Sequence, residues 1–231
     1  MIIHCDDRGF CLTVTDGLYS AGCHNKLTRE QALEHWGSPD YPDTARGAGF
    51  VSAIQRGAEL SRLPEGLEYL SLCGGTLPAG TVLPKGLTDL YLGGGTLPEG
   101  TVLPAGLTDL SLFGGTLPAG TVLPDGLKHL YLGGSPLAEG IVLPEGLTDL
   151  SLGGSTLPAG TVLPEGLNLL DLVSSTLPAG TVLPEGLKHL YLSGGTLPAG
   201  TVLPAGLKFL CLCGAKLPEG TALPDDLVVV P

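Results

Sequence analysis

Twelve residues, Gly86 to Leu97, read GLTDLYLGGGTL and return nearly unchanged every twenty residues as far as Leu217. A short fixed period restricts a chain to architectures in which each unit buries its apolar face only against its neighbours. Counting Leu67 as position 1, eight units run from 67–86 to 207–226, and 227–231 is a remnant. Leucine holds positions 1, 4, 6, 11 and 17, valine mostly 16, proline mostly 12 and 18, and glycine mostly 14 and 20. Only 5% of the residues are aromatic, so the core must be leucine. The 37 glycines and 20 prolines would mean disorder if scattered, but at fixed positions they punctuate turns. The expected organisation is one solenoid over 63–231 and an N-terminal capping segment over 1–62.

Positions 1 to 11 read L-x-x-L-x-L-x-x-x-x-L. A strand at about positions 3–5 follows from the period-2 spacing, with Leu90 and Leu92 inward and Asp89 and Tyr91 outward. Strands of successive units then pair in parallel. The return segment, L-P-x-G-T-V-L-P-x-G, is too short and proline-rich for a helix and is expected extended or as polyproline II.

The L-x-x-L-x-L-x-x-x-x-L…L-P spacing resembles the short leucine-rich repeats of bacterial type III effectors, and P-x-G-L-x-x-L-x-L-G resembles FNIP repeats. Either resemblance covers 63–226. It implies a mainly β solenoid, with a parallel sheet on one face and extended or polyproline segments on the other, capped by a small α/β segment. The asparagine usual at position 9 is replaced by Gly95, Gly115 and Ser135 and their equivalents, so threonines at 10 and 15 are expected to form substitute ladders. Effector ligases of that group also carry a catalytic domain with a nucleophilic cysteine, which is not expected here. The resemblance implies binding rather than catalysis. A rival fold shares the period: the pentapeptide-repeat quadrilateral β-helix, because positions 1, 6, 11 and 16 are five apart. It would need small residues where Leu70 and Leu90 stand, and would turn Glu65 and Lys85 into a narrow core.

Residues 1–62 read differently. Met1 to Thr15 alternates in two runs about Asp6-Asp7-Arg8-Gly9, a hairpin pattern. Asp16-Gly17 and Ser20-Ala21-Gly22 read as turns. Thr28 with Gln31 makes a capping-box start for a short helix carrying Ala32, Leu33 and Trp36, and a second helix is expected over about 44–56. His4-Cys5, Cys11 and Cys23-His24 are the one metal-like set, but their spacing lacks the close C-x2-C pairs of structural zinc sites, so no metal is assigned. No secretory start is visible at Met1 to Gly9, and the six cysteines are expected as free thiols in a cytoplasm, the chain's own or one into which it is delivered.

The net charge is −12, with fifteen acids against five lysines in 63–231. Such a surface disfavours nucleic acid and anionic membranes as partners. No phosphate loop and no catalytic set emerges, and no cofactor is expected. The chemistry on offer is the outward ladder of positions 3, 5 and 7. His129, Tyr131, Asp149, Leu169, Asp171, Val173, His189 and Tyr191 are the candidate partner-binding residues, because Leu169 and Val173 place apolar groups among polar ones. Lys128-His129-Leu130-Tyr131 recurs as Lys188-His189-Leu190-Tyr191, which copying during repeat expansion also explains. The expected function is non-enzymatic binding of a protein partner; the alternative is an acidic rod that mimics DNA and occupies a nucleic-acid-binding enzyme. Val228, Val229 and Val230 form an adhesive edge expected to support a weak homodimer.

Overall fold

The computed structural model describes residues 2–5, 11–15, 18–21, 24–27, 31–34, 63, 66–71, 77, 79–134 and 137–231. Four short strands, β1 (Ile2–Cys5), β2 (Cys11–Thr15), β3 (Leu18–Ala21) and β4 (His24–Leu27), form an antiparallel sheet in chain order. The expected hairpin is β1 with β2, closing at the Cys5–Cys11 pair. The turn expected at Ser20-Ala21-Gly22 is corrected: Ser20 and Ala21 lie in β3, where they pair with Thr13 and Leu12 of β2. Small residues signal turns locally, but cross-strand pairing decides a strand. Residues 31–34 are helical, with Ala32 fully buried. Trp36, the helix expected over 44–56 and the connections around Asp6 and Asp16 lie outside the described residues.

From Tyr69 onward each coil gives one three-residue strand: β5 (Tyr69–Ser71), β6 (Asp89–Tyr91), β7 (Asp109–Ser111), β8 (His129–Tyr131), β9 (Asp149–Ser151), β10 (Leu169–Asp171), β11 (His189–Tyr191) and β12 (Phe209–Cys211). With β13 (Val228–Val230) they make a nine-stranded parallel sheet in sequence order. Position 4 points in and positions 3 and 5 out, as the alternation requires: Leu90 and Leu110 are fully buried between half-exposed neighbours. The pentapeptide-repeat alternative is excluded, because a coil has one strand rather than four flat faces.

The leucines of positions 1, 4, 6, 11 and 17 stack into one continuous core from Leu63 to Leu210. The return segment contains no helix, but it is not simply extended. Two tight turns begin at its prolines: Thr101 N–H donates to Pro98 C=O (3.2 Å) and Leu107 N–H to Pro104 C=O (3.0 Å). In the first of these Gly100 has φ +74°, the left-handed residue a type II turn needs. A third turn follows the strand, closed by Gly115 N–H donating to Leu112 C=O at 2.6 Å.

Position 9 explains how the array manages without asparagine. A Cβ on Gly115 would meet the Gly95 carbonyl oxygen of the previous coil at 1.8 Å, so here bare backbone packs on backbone. Where serine stands instead, its hydroxyl is used. Ser155 is buried and donates to Leu132 C=O of the preceding coil, and buried Ser175 accepts from Gly154 N–H at 3.0 Å. The expected threonine ladder exists at position 10, where Thr176 and Thr196 hydroxyls lie 3.1 Å apart. It is corrected at position 15: the Thr101, Thr161 and Thr181 hydroxyls donate within their own coil, to the proline carbonyl at position 12. The turn that closes Thr101 N–H on Pro98 C=O also brings the Thr101 hydroxyl within 2.7 Å of that carbonyl.

Candidate functional site

The parallel register sets position 3 of each coil beside position 3 of the next, so the outward face is a set of straight columns. All eight candidate residues lie on it, in β8 to β11 or just after β10. They do not form one cluster.

In the position-3 column His129 stands between two aspartates. Its Nδ1 donates to Asp109 Oδ1 at 2.6 Å, and its Nε2 lies 3.7 Å from Asp149 Oδ2. Asp109 is held in turn by the Thr108 hydroxyl at 2.8 Å. In the position-5 column Tyr91 and Tyr131 rise beside these carboxylates. Burial, then the charges of Asp109 and Asp89, push the Tyr91 phenol up to about 12. Burial, followed by Asp149 and Asp109, also raises Tyr131. Both phenols therefore remain hydrogen-bond donors at any physiological pH.

Asp171 accepts from the Ser151 hydroxyl (3.0 Å) and from Val173 N–H (2.9 Å), which anchors the turn presenting Val173. The second copy of the K-H-L-Y motif has other company. His189 lies between Leu169 and Phe209 in the ladder, with its ring centre 6.4 Å from that of Phe209, and Tyr191 packs on the same ring at 5.4 Å. Identical tetrapeptides thus make a carboxylate-flanked, hydrogen-bonded site in one place and an aromatic cluster in the other. At the opposite end of the sheet Tyr69 and Tyr91 rings stack at 5.3 Å.

Three residues that belong to this face are not among the eight candidates. Asp109 is the nearer partner of His129, visible once the columns are written out. Phe209 completes the aromatic cluster. Phe113, at position 7 where the neighbouring coils have Gly93 and Gly133, is 70% exposed and lays its ring over Gly133, where a Cβ would meet Cδ2 at 2.3 Å. The opposite side of the coil carries a different surface. The position-16 valines, from Val82 to Val202, form a row 78–81% exposed. Grooves run between the ridges, one of about 710 Å³ between residues 140–145 and 158–165.

The expectation of free thiols is corrected at one place. Cys211 and Cys213 form a disulfide, with Cα atoms 5.7 Å apart. Both lie on the outward face, and the turn after β12 brings them within disulfide reach. Among the described residues no cluster of His, Cys, Asp or Glu could hold a metal ion. No helix among them is long and apolar enough to cross a membrane.

The coil decides the architecture: one short strand at positions 3–5, leucines stacked inside, turns at fixed prolines and glycines, parallel pairing throughout. The chain is a parallel β-solenoid of twenty-residue coils with a leucine-rich-repeat-like fold. No family model and no curated protein matches it. Among solved structures it is similar to YopM from Yersinia enterocolitica WA-314, with 25% identity and a TM-score of 0.47. The match covers 74% of this chain, which spans only 47% of that one.

Proposed function

We propose that the chain is a non-enzymatic protein-interaction module that binds its partner on the strand-lined face. One observation supports this above the others: side chains that vary from coil to coil are fixed in columns by an invariant scaffold. The aromatic cluster of His189, Tyr191 and Phe209 and the pair Tyr69–Tyr91 flank an acidic stretch containing Asp109, His129 and Asp149. Aromatic anchors beside charge are what a binding surface uses. The valine row is apolar and exposed, but it repeats identically and so cannot by itself fix a register. A partner with basic side chains opposite Asp89, Asp109 and Asp149 and an apolar group near Leu169 fits the chemistry. The DNA-mimic reading keeps the charge and loses the quadrilateral scaffold to which it was tied.

The test compares proteins cross-linked to the wild type with those captured by Leu169→Glu/Tyr191→Ala and by Val162→Glu. Loss of a partner with the first variant only is expected. Loss with Val162→Glu only would move the interface to the valine row.

A further inference from the structure

The disulfide coil departs from the others in its backbone. After each strand the left-handed residue is position 8: Gly94, Gly114, Gly134, Gly154, Ser174 and Gly194 all have positive φ. In the last full coil Gly214 keeps this conformation at +87°, but Cys213 at position 7 is left-handed too, with φ +40°. Among the described residues no other position 7 does this, and a non-glycine residue adopts it at a cost.

The change breaks a ladder. Elsewhere position 8 donates its N–H to the position-7 carbonyl of the following coil, as Gly134 does to Gly153 (2.6 Å), Gly154 to Val173 (2.8 Å) and Ser174 to Ser193 (2.8 Å). The corresponding bond from Gly194 to Cys213 is not made. The preceding bond of the series, Leu192 N–H to Cys211 C=O at 2.8 Å, is intact, so the interruption is confined to the disulfide.

The two sulfurs also differ in access. Cys211 is only 7% exposed although it lies on the outward face, whereas Cys213 is exposed. Ser193 Oγ lies 3.9 Å from the Cys211 sulfur. A disulfide with one open sulfur, one shielded sulfur and a backbone held out of its ordinary conformation is the labile kind.

We propose that Cys211–Cys213 is a thiol–disulfide exchange site, attacked at the Cys213 sulfur by an external thiol, whose reduction completes the hydrogen-bond ladder of the last coil. A thiolate R–S⁻ attacks Cys213 Sγ in line with the S–S bond. That bond breaks, its electron pair passes to Cys211 Sγ, and the Ser193 hydroxyl donates a hydrogen bond to the departing thiolate before water protonates it. A second R–SH attacks the mixed disulfide on Cys213, giving R–S–S–R and two protein thiols. Two thiols are oxidised and one protein disulfide is reduced. Freed from its neighbour, Cys213 relaxes to the conformation of position 7 elsewhere, and Gly194 N–H gains its acceptor. The exchange site sits beside Tyr191 and Phe209, whose strands pair with and contain Cys211.

The full chain, oxidised with glutathione disulfide, is treated with reduced glutathione or with an equimolar dithiol protein of the thioredoxin class, then alkylated and mapped by peptide mass. Glutathione is expected on Cys213 and not on Cys211, followed by two alkylated cysteines. Faster reduction by the dithiol protein identifies a protein thiol as the source, and equal or slower reduction a small one. Cys211→Ser should accumulate the adduct on Cys213, while Cys213→Ser leaves Cys211 modified roughly tenfold more slowly or less. Hydrogen exchange at Gly194 should slow on reduction in the wild type and be already slow in Cys213→Ser. Failure of the disulfide to form under oxidised glutathione, resistance to both reductants, or equal labelling of both cysteines would overturn the exchange site. Unchanged exchange at Gly194 would overturn its link to the ladder.

Discussion

Val229 lies opposite Leu210, nineteen residues earlier, whereas every preceding strand of the sheet pairs with one twenty residues away. Counted by twenty, Leu227 is position 1 and Val230 would fall at the inward position 4. Leu227 does keep the position-1 turn, donating its N–H to Pro224 C=O at 3.3 Å. Position 2 is then skipped: Val230 C=O accepts from Leu212 N–H at 2.7 Å, as the position-5 carbonyl of Cys211 accepts from Leu192 N–H. A one-residue slip exchanges the faces of a strand, so Val229 takes the inward position and Val228 and Val230 face outward.

The slip sharpens the expected self-association. In a parallel strand that bonds β12 through Val228 N–H and Val230 C=O, the N–H and C=O of Val229 are directed away from β12. Light scattering at rising concentration should detect a weak dimer, and Val229→Lys should remove it. A wild type that stays monomeric throughout would sink this expectation.

Burial should govern the cost of truncation. Leu150→Ala, in a fully buried position, should lower unfolding stability by about 2–5 kcal/mol in denaturant titration. Val162→Ala, at a site 79% exposed, should stay within about 0.5 kcal/mol.

Two glycines should respond oppositely to the same change. Gly115→Ala forces a methyl to within 1.8 Å of the Gly95 carbonyl oxygen, so the coils must separate, at about 1–3 kcal/mol or more. A Cβ on Gly106 meets its nearest atom at 3.6 Å, and Gly106→Ala should be tolerated. Equal melting temperatures for the two variants would contradict this packing.

Tyr91 should make the fold sensitive to alkali. Its phenol, ordinarily at 10.0, is pushed to about 12 by burial and by Asp109 and Asp89. At neutral pH both folded and unfolded chains hold the proton, and the contribution is fully present. As pH climbs from 10 toward 12 the unfolded chain ionises first, so this contribution is lost on the way up. Spectrophotometric titration should show Tyr91 and Tyr131 titrating late, and Asp109→Asn, which removes a charge acting on both, should bring both earlier.

The strand-and-core pattern was legible because a leucine at every second position of a repeated strand leaves one choice of face, and Leu90 and Leu92 took it. The columns were legible for the same reason: once units are aligned, His129 must sit between Asp109 and Asp149. What could not be read was anything set by contact rather than by period. The third strand of the N-terminal sheet carries small residues at Ser20 and Ala21, and only pairing with β2 makes them strand. The disulfide was missed because the cysteines were read as free thiols from the lack of a secretory start, which says nothing of two cysteines brought together locally. Cys211 and Cys213 meet because a turn follows β12. The last strand slipped because Leu227 is followed by three valines, any of which can fill the inward position.

The identical coils have a consequence for how such a surface can change. Adding or removing one unit of twenty residues shifts everything beyond it by one strand spacing, about 4.8 Å, and leaves each coil's own contacts as they were. The stacked tyrosines at Tyr69 and Tyr91 and the cluster at Tyr191 and Phe209 could therefore be moved apart or together in uniform increments. The repeat behaves as a gauge whose length is set by copy number while the jaws at either end keep their shape.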